Sequence, residues 1–452
     1  MNYQYSDKFI PSDYPLNPDS PIVNRAKELI SRAWGMSKTI HHNPSPNPIS
    51  LEKKHLTILE SNFTEFVVAE KSDGVRYQLV LGTYDNRGFA VMVNRRMQMY
   101  EVPIYANPDY FKGSVFDGEL VIEKFGSSVT SVTSVTLSGN ETDDNSNNNF
   151  YSDSHYSLKN KRPQDQNDKK NQISDFVSNR LSSPPQQERQ IYLVFDVVCV
   201  KGESRKMSTL MTRYHEYSSI FDLENKDILQ TDVSKWDEIA FDLAHSKEKI
   251  VCLGNRLALQ FRPKPFVTLV NLGSLWRTMT NLAHKSDGLI IPRTTTGVGT
   301  GIDQSIFKWK QNHTVDLIVE GKYAKSQWNY QIFFQDNEKL VTNLERDFSI
   351  CYKNGSERKF HIEIKLNPTL QSTSKYFGEN HKTGFKLLGE FECEIDDEQP
   401  IIWCNLERWR KDKYTPNNYS VIQKILQNVH DNVTIKELLA LTSKYIYNIT
   451  DN

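Results

Sequence analysis

Two stretches of identical text, KSDG at 71–74 and KSDG at 285–288, each stand before an apolar, β-branched run, VRYQLVL in the first case and LIIPR in the second. Asp-Gly is turn text, because Asp tolerates the left-handed region and glycine enters it without cost. Each KSDG therefore reads as the place where the chain turns into a strand. A third Asp-Gly, in SVFDGELVIE, puts Asp117 and Glu119 at a strand start. Around these points the text stays β-like: FVVAE and YQLVL flank the first turn, and FAVMVN, SIFKWK and IYLVFDVVCV are further strands. Residues 126–190 break this pattern. They are rich in Ser, Asn, Asp, Gln and Lys and poor in large apolar side chains, so they cannot offset their own ordering entropy. Strand text resumes at once beyond them, as expected of a disordered insertion inside a domain.

Helical periodicity is local. Residues 22–34 put Ala26, Leu29, Ile30, Ala33 and Trp34 on one helix face, and 232–247 and 267–284 also read as helices. After Asp316 the short runs LIVEGKY, NYQIFFQ, KFHIEIK and FKLLGEFECEI predict a small β-barrel, and Thr434 with Glu437 forms a capping box before a last helix. A chain of 452 residues has room for two to four domains. With 55 basic against 56 acidic residues the net charge is −1, so any nucleic-acid contact must come from a local patch. The five cysteines are scattered without a CxxC pair, which argues against a disulfide framework or structural zinc and for a reducing compartment. The first residues lack the apolar run of a signal peptide, and no stretch reaches the roughly 18 apolar residues of a membrane helix. A soluble intracellular protein without a membrane partner is expected.

The chemistry centres on lysine. Lys71 ends an apolar strand, and Arg76 opens the next. Lysine attacks only as the neutral amine, which at an ordinary pKa of ~10.4 is on the order of one molecule in a thousand near neutrality; neighbouring cations or a metal ion must favour the free amine. Lys308 and Lys310, two apart on a strand, share one face, and paired ammonium groups on a buried face call for an anion such as a triphosphate between them. Against this stand the bland readings, a solvated turn for KSDG alone and a solvated edge strand for KWK. The segment GVGTG at 297–301 matches neither phosphate-loop pattern and reads as a flexible hairpin. His41 and His42 read as solvated, His284 as a buried, hydrogen-bonded histidine, and EIDDEQP as a solvated loop.

Taken in order, KSDGVR, NRRMQMY, DGEL, YLVFDVV, KSDGLII, FKWK with TVDL, and ERWRKDKYTPN resemble the covalent nucleotidyltransferases, and most of all the mRNA capping guanylyltransferases. NPSPNPISL is similar to the Pro-rich segment that precedes the first motif in cellular capping enzymes. DNA and RNA ligases share the KxDG and DGL elements, so those two cannot choose the substrate; RKDKYTPN, preceded by Trp403, favours capping. The resemblance implies an α+β architecture: a nucleotidyltransferase domain of ATP-grasp-like, mainly antiparallel sheets (1–316, with 126–190 inserted), a C-terminal OB-fold lid (317–430) and a C-terminal helix (431–452). It implies that Lys71 forms a phosphoamide with GMP from GTP. Arg76, Arg95 and Glu119 would meet ribose, phosphate or a metal-bound water. Asp287 would lie at the metal and α-phosphate, Lys308 and Lys310 on the α-phosphate, and Lys264 at the guanine. Asp316, Arg410, Asp412 and Lys413 would belong to the part that closes over pyrophosphate, with Arg408 or Arg410 as the closing arginine.

The same resemblance implies a divalent metal, Mg²⁺ or Mn²⁺, held by Asp287 and Glu119. It implies a 5′-diphosphate RNA acceptor, a separate RNA 5′-triphosphatase, and a transcribing RNA polymerase with a phosphorylated C-terminal tail. The location would be the nucleus of a cell or the cytoplasmic factory of a virus. Asn94 replaces the Asp that usually precedes the arginine, the spacer from Lys310 to Thr314 is short, and that from Trp403 to Arg410 is long. An ATP-dependent polynucleotide ligase, or a non-catalytic RNA- or polymerase-binding protein of the same fold, are the alternatives.

Overall fold

The computed structural model describes residues 14–38, 40–125, 187–222, 243–244, 247–252, 259–324, 327–336, 339–341, 350–351, 359–366, 384–388, 392–393, 401–409 and 415–450. Two units separate: Met1–Glu123 with Arg189–Asn452 form one, and Lys124–Glu188 the other.

Two sheets carry the first half of the larger unit. One runs Asn47–Ser50, Ile302–Lys310, Ser286–Pro292, Val67–Ser72, Val267–Thr268; only its first pair is parallel. The other runs Leu259–Pro263, Gln187–Val200, Ser114–Phe125, Val75–Tyr84, Arg87–Asn94, Met99–Glu101, again with one parallel pair at its edge. Strand Val75–Tyr84 is buried on both faces, which is why Leu79, Val80 and Leu81 are consecutively apolar rather than alternating. One face, with Leu79 and Leu81, packs on Phe116, Tyr192, Phe221 and Phe261. The other, with Val80, meets Ala26, Leu29, Ile30 and Trp34 of helix Pro21–Ala33, the face read from the sequence. Ser20 caps that helix, accepting from the Val23 amide.

The first KSDG turn joins the two sheets rather than closing a hairpin, since Val67–Ser72 and Val75–Tyr84 lie in different ones. Gly74 and Gly288 are not at positive φ. Each is needed because a Cβ there would lie 2.3 Å from the Leu120 carbonyl oxygen and 1.9 Å from that of Trp309, respectively. Both glycines therefore answer to close backbone approach, not to a left-handed turn.

Helix 267–284 is shorter than the periodicity implied. The β-branched Val267 and Thr268 pair with Val68 and Val67, and the α-helix spans Leu272–Met279. The expected helix 232–247 lies mostly outside the described residues. GVGTG does join two antiparallel strands, but it is docked: the Val298 amide donates to the Lys206 carbonyl, and Val298 is buried against the Pro21–Ala33 helix.

Beyond Lys310 a six-stranded sheet runs Lys339–Val341, Gln327–Asp336, His313–Ala324, Lys359–Leu366, Ile401–Trp409, Gly384–Leu388, with its last pair parallel. Helix Tyr419–Asp431 follows, capped by Asn418, whose side chain accepts from the Ser420 amide. Helix Ile435–Thr450 begins at the capping box: the Glu437 amide donates to Thr434 Oγ1, and the Thr434 amide to Glu437 Oε2. Its Leu438 packs with Leu272, Leu289 and Phe307, so the chain's end covers the back of the first sheet. Trp309 Nε1 donates to the Val433 carbonyl at 2.6 Å, which pins the central residue of KWK from behind. The architecture is mixed α/β with mostly antiparallel sheets.

Candidate active site

The two KSDG segments are neighbours. Strand Ser286–Pro292 lies antiparallel to Val67–Ser72 with Ser286 opposite Ser72 and Gly288 opposite Lys71, and the Asp73 amide donates to the Lys285 carbonyl. The register shifts between Ser286 and Gly288, so Asp287 is the extra residue of a bulge. A bulge re-aims its side chain. Here Asp287 Oδ1 accepts from Lys71 Nζ at 2.7 Å, and Oδ2 pairs with Lys310 Nζ at 2.6 Å. Lys310 stands opposite Gly288 on the next strand, and Lys308 opposite Ile290. One carboxylate thus bridges two lysines across three strands.

Lys308 completes the cationic cluster. It is half-buried, and among the described residues no ion pair engages its ammonium. Burial lowers its pKa, and the charges of Lys310, Lys71 and Arg95 lower it further against the pull of Asp287. The site repels its own charges and is complementary to a polyanion.

Lys71 also lines a cavity of about 180 Å³, together with Arg76, Arg95, Glu119, Phe195 and Lys264. Arg76 is held rigidly: Nε and Nη2 fork onto Asp117 at 2.9 and 2.6 Å, Nη1 donates to the Pro46 carbonyl, and the guanidinium lies 5.2 Å from the Phe195 ring centroid. Pro46 and Pro48 of the Pro-rich segment form part of the wall, their stretch running parallel to Ile302–Lys310. Glu119 sits across from Arg76 in the ladder, and burial raises its carboxyl pKa despite nearby Lys264, Lys71, Arg76 and Arg95.

Lys264 is part of the cavity wall. Its ammonium is buried, donating to Glu70 Oε1 at 2.7 Å and Ser72 Oγ at 2.5 Å. The same Glu70 oxygen accepts from Ser72 Oγ at 2.7 Å and lies 3.1 Å from His284 Nε2. On the imidazole's other side, Nδ1 lies 3.7 Å from Glu123, which also pairs with Arg189 and Arg262. Burial alone would lower the His284 pKa, but Glu123 and Glu70 outweigh it and raise it to about 9. Glu70 resists its own burial because Lys264 and His284 hold its pKa well below the ordinary range. His284 is thus the buried, hydrogen-bonded residue the sequence predicts, and His41 and His42 are exposed.

The cluster gathers Lys71, Arg76, Arg95, Glu119, Lys264, Asp287, Lys308 and Lys310. Asp316 is not among the residues that line the cavity. It is buried in strand His313–Ala324, where its amide donates to Asn417 Oδ1 and its carbonyl accepts from the Asn417 amide. Arg410, Asp412 and Lys413 lie outside the described residues, as does EIDDEQP. Arg408 lies on strand Ile401–Trp409 opposite Glu363. The sequence reading passed over Glu70, Ser72, Phe195 and Asp196. Asp196 had a signal, as a lone acid inside the apolar YLVFDVV: it is buried and paired at 2.6 Å with Arg213, also buried.

A sequence profile for the mRNA capping enzyme, catalytic domain, matches residues 19–135, and one for the mRNA capping enzyme, C-terminal domain, matches residues 350–439. The mRNA-capping enzyme subunit alpha of Schizosaccharomyces pombe is 22% identical over 435 residues, 92% of this chain and 83% of that one. Its Neurospora crassa namesake is 23% identical over 440 residues, 92% and 87% of the two chains. A mycobacterial DNA ligase D complexed with ATP superposes with a TM-score of 0.32 at 10% identity, covering 82% of this chain and 96% of that one. The site and both profiles converge on one likeness: the chain is similar to the mRNA capping enzymes in its catalytic and its C-terminal segments, and to their alpha subunits over most of its length.

Proposed function

We propose that the chain is the mRNA guanylyltransferase of its cell, transferring GMP from GTP through a lysyl-GMP intermediate on Lys71 to the 5′-diphosphate end of RNA. The observation that carries this is the Asp287 bridge between Lys71 and Lys310, with Lys71 at a cavity whose wall also holds Arg76, Arg95 and the buried donor Lys264. In the first step Lys71 Nζ bonds to the α-phosphorus, the bond to the bridging oxygen breaks, and pyrophosphate leaves with that electron pair. The amine proton passes to Asp287 or to solvent beyond it. Lys308 and Lys310 hold the α-phosphate as negative charge builds on it. Arg76, fixed by Asp117, serves the ribose and phosphate side with Arg95, and Lys264 donates to the guanine O6 acceptor. In the second step a terminal oxygen of the RNA diphosphate attacks the same phosphorus, the P–N bond breaks, and Lys71 leaves as the amine, taking back a proton from Asp287 or solvent.

A divalent ion, Mg²⁺ or Mn²⁺, fits this donor set. Among the described residues no three acidic, His or Cys side chains converge on a metal site, and ions of this kind take one or two carboxylates together with substrate phosphate oxygens. Glu119 and Asp287 would hold it, and when bound it would neutralise charge on the reacting phosphates.

The six-stranded C-terminal sheet is read as an OB-fold lid, supported by the match of residues 350–439 to the C-terminal profile. Arg410, Asp412 and Lys413 would act there, with Asp316 at its start. The relatives' name, mRNA-capping enzyme subunit alpha, supports a partner subunit, read as the RNA 5′-triphosphatase; action in the nucleus, at the transcribing polymerase's phosphorylated tail, belongs to the same proposal. No helix among the described residues is long and apolar enough to cross a membrane.

The test is incubation with α-³²P-labelled GTP or ATP and divalent metal, then a denaturing gel. Covalent label from GTP that chases onto diphosphate-ended RNA is expected. Label from ATP alone would make the chain a ligase, and no label would make it a binding protein of the same fold.

A further inference from the structure

Lys264, at the wall of the nucleotide cavity, heads a buried ionic chain, Lys264–Glu70–His284–Glu123, and the proposed reaction uses none of the other three. Glu70 stands one residue before Lys71, and His284 three before Asp287, so the chain ties together the backbones that carry the nucleophile and its carboxylate. Glu70 Oε1 is its hub, taking the ammonium of Lys264, the hydroxyl of Ser72 and His284 Nε2 within 3.1 Å. The side chains of Lys264, Glu70, His284 and Glu123 are 5, 6, 7 and 8% exposed. A buried ammonium without its carboxylate would either lose its proton or withdraw toward water. A neutral lysine offers a lone pair as well as donors, and a 6-amino purine can donate to that lone pair. Only the charged form is a pure donor, matched to a 6-oxo purine and mismatched to a 6-amino one. His284 in turn sits between two carboxylates and fixes the rotation of Glu70, while Arg189 and Arg262 anchor Glu123 at the outer end.

We propose that Glu70 and His284 are positioning residues for the base end of the pocket: with Ser72 they hold Lys264 as a fixed, charged donor, and so set the preference for a 6-oxo over a 6-amino purine. The inference rests on the reading of Lys264 as the residue that meets the base. It assigns the discrimination to the buried chain as well as to the lysine that makes the contact.

The experiment measures the rate of enzyme–nucleotide adduct formation against concentration of GTP, inosine triphosphate and ATP. The full-length wild type is compared with His284→Gln, Glu70→Gln, Lys264→Met and the double variant Lys264→Met/His284→Gln. Loss of a charge-assisted hydrogen bond at Lys264 should raise KM for both 6-oxo nucleotides about tenfold or more, with a much smaller fall in maximal rate, while residual ATP labelling does not fall, because the mismatch to the 6-amino group is relieved. The double variant should be no worse than Lys264→Met alone, because the effect passes through that lysine. Glu70→Gln keeps size and hydrogen-bonding capacity and decides the matter should His284→Gln fail to accumulate as folded protein. Equal losses for all three nucleotides, or additive losses in the double variant, would reduce the chain to a structural support and overturn the proposal. A normal KM in Lys264→Met would overturn the base-end assignment itself. A raised KM there with normal values in both Gln variants would leave that assignment standing and sink only the positioning role.

Discussion

Lys308→Met should make the protein more stable and nearly inactive, and the two effects have one cause. Lys308 and Lys310 are two apart on strand Ile302–Lys310, a spacing of about 6.6 Å along the backbone. Two like charges at about 7 Å in an effective dielectric of about 20 repel by about 2.4 kcal/mol. Lys310 spends part of its charge on Asp287, which also attracts Lys308, so the net cost of the Lys308 charge is about 1 kcal/mol. Methionine keeps the length of the stem and removes the charge, returning that amount as a rise of roughly 2 °C in melting temperature. The sign with pH follows from the lowered pKa. The folded state binds fewer protons at Lys308 than the unfolded chain does, so the wild type recovers stability as pH rises through the folded pKa, and the advantage of the variant shrinks there. In catalysis the missing cation no longer meets the α-phosphate in a half-buried site, a loss of about 100- to 1,000-fold in adduct formation. Calorimetry in nucleotide-free buffer at two pH values, with single-turnover labelling, reads both. A destabilised variant that still labels well would refute the claim that Lys308 is held in place against its own electrostatics for an anion's sake.

Lys71→Arg should give no covalent adduct while melting near the wild type, because guanidinium stays protonated and cannot attack; any label on residue 71 would refute the nucleophile. Gly288→Ala should cost about 3 kcal/mol or more, since its Cβ would fall 1.9 Å from the Trp309 carbonyl oxygen and force apart the strands of Lys71 and Lys310; an unchanged melting temperature would refute the contact. For His284, with its pKa raised to about 9, the stabilisation is complete below the unfolded value near 6.5 and is lost as pH rises through about 9. Wild type should therefore lose up to about 3 kcal/mol relative to His284→Gln across that interval, measured by denaturant unfolding at pH 6 and pH 9.5; parallel curves would refute the ion pairs.

Most of the chemistry was legible because it sits in contiguous text. KSDG, DGEL and FKWK each carry their functional atoms within a few residues, and strand alternation places Lys308 and Lys310 on one face without knowledge of the fold. The reason for the glycines was misread, since nothing local distinguishes an Asp-Gly turn from a glycine pressed against the next strand; Gly74 and Gly288 show it only once Leu120 and Trp309 are in place. The partner of Lys71 was hidden for the same reason. Asp287 has the same sequence neighbours as Asp73, yet Asp287 alone is the bulged residue turned toward the lysines, and a bulge is a property of two paired strands. Glu70 was hidden most completely. An acid beside the nucleophile on a strand points to the opposite face, so by alternation it reads as belonging elsewhere. What brings it into play is Lys264, delivered from the edge of the other sheet by the bond from its own amide to the Val194 carbonyl. Local text specified the groups that meet phosphate, whereas the groups that hold those in register are specified by sheet pairing between distant segments, and it is there that the buried ion chain was found.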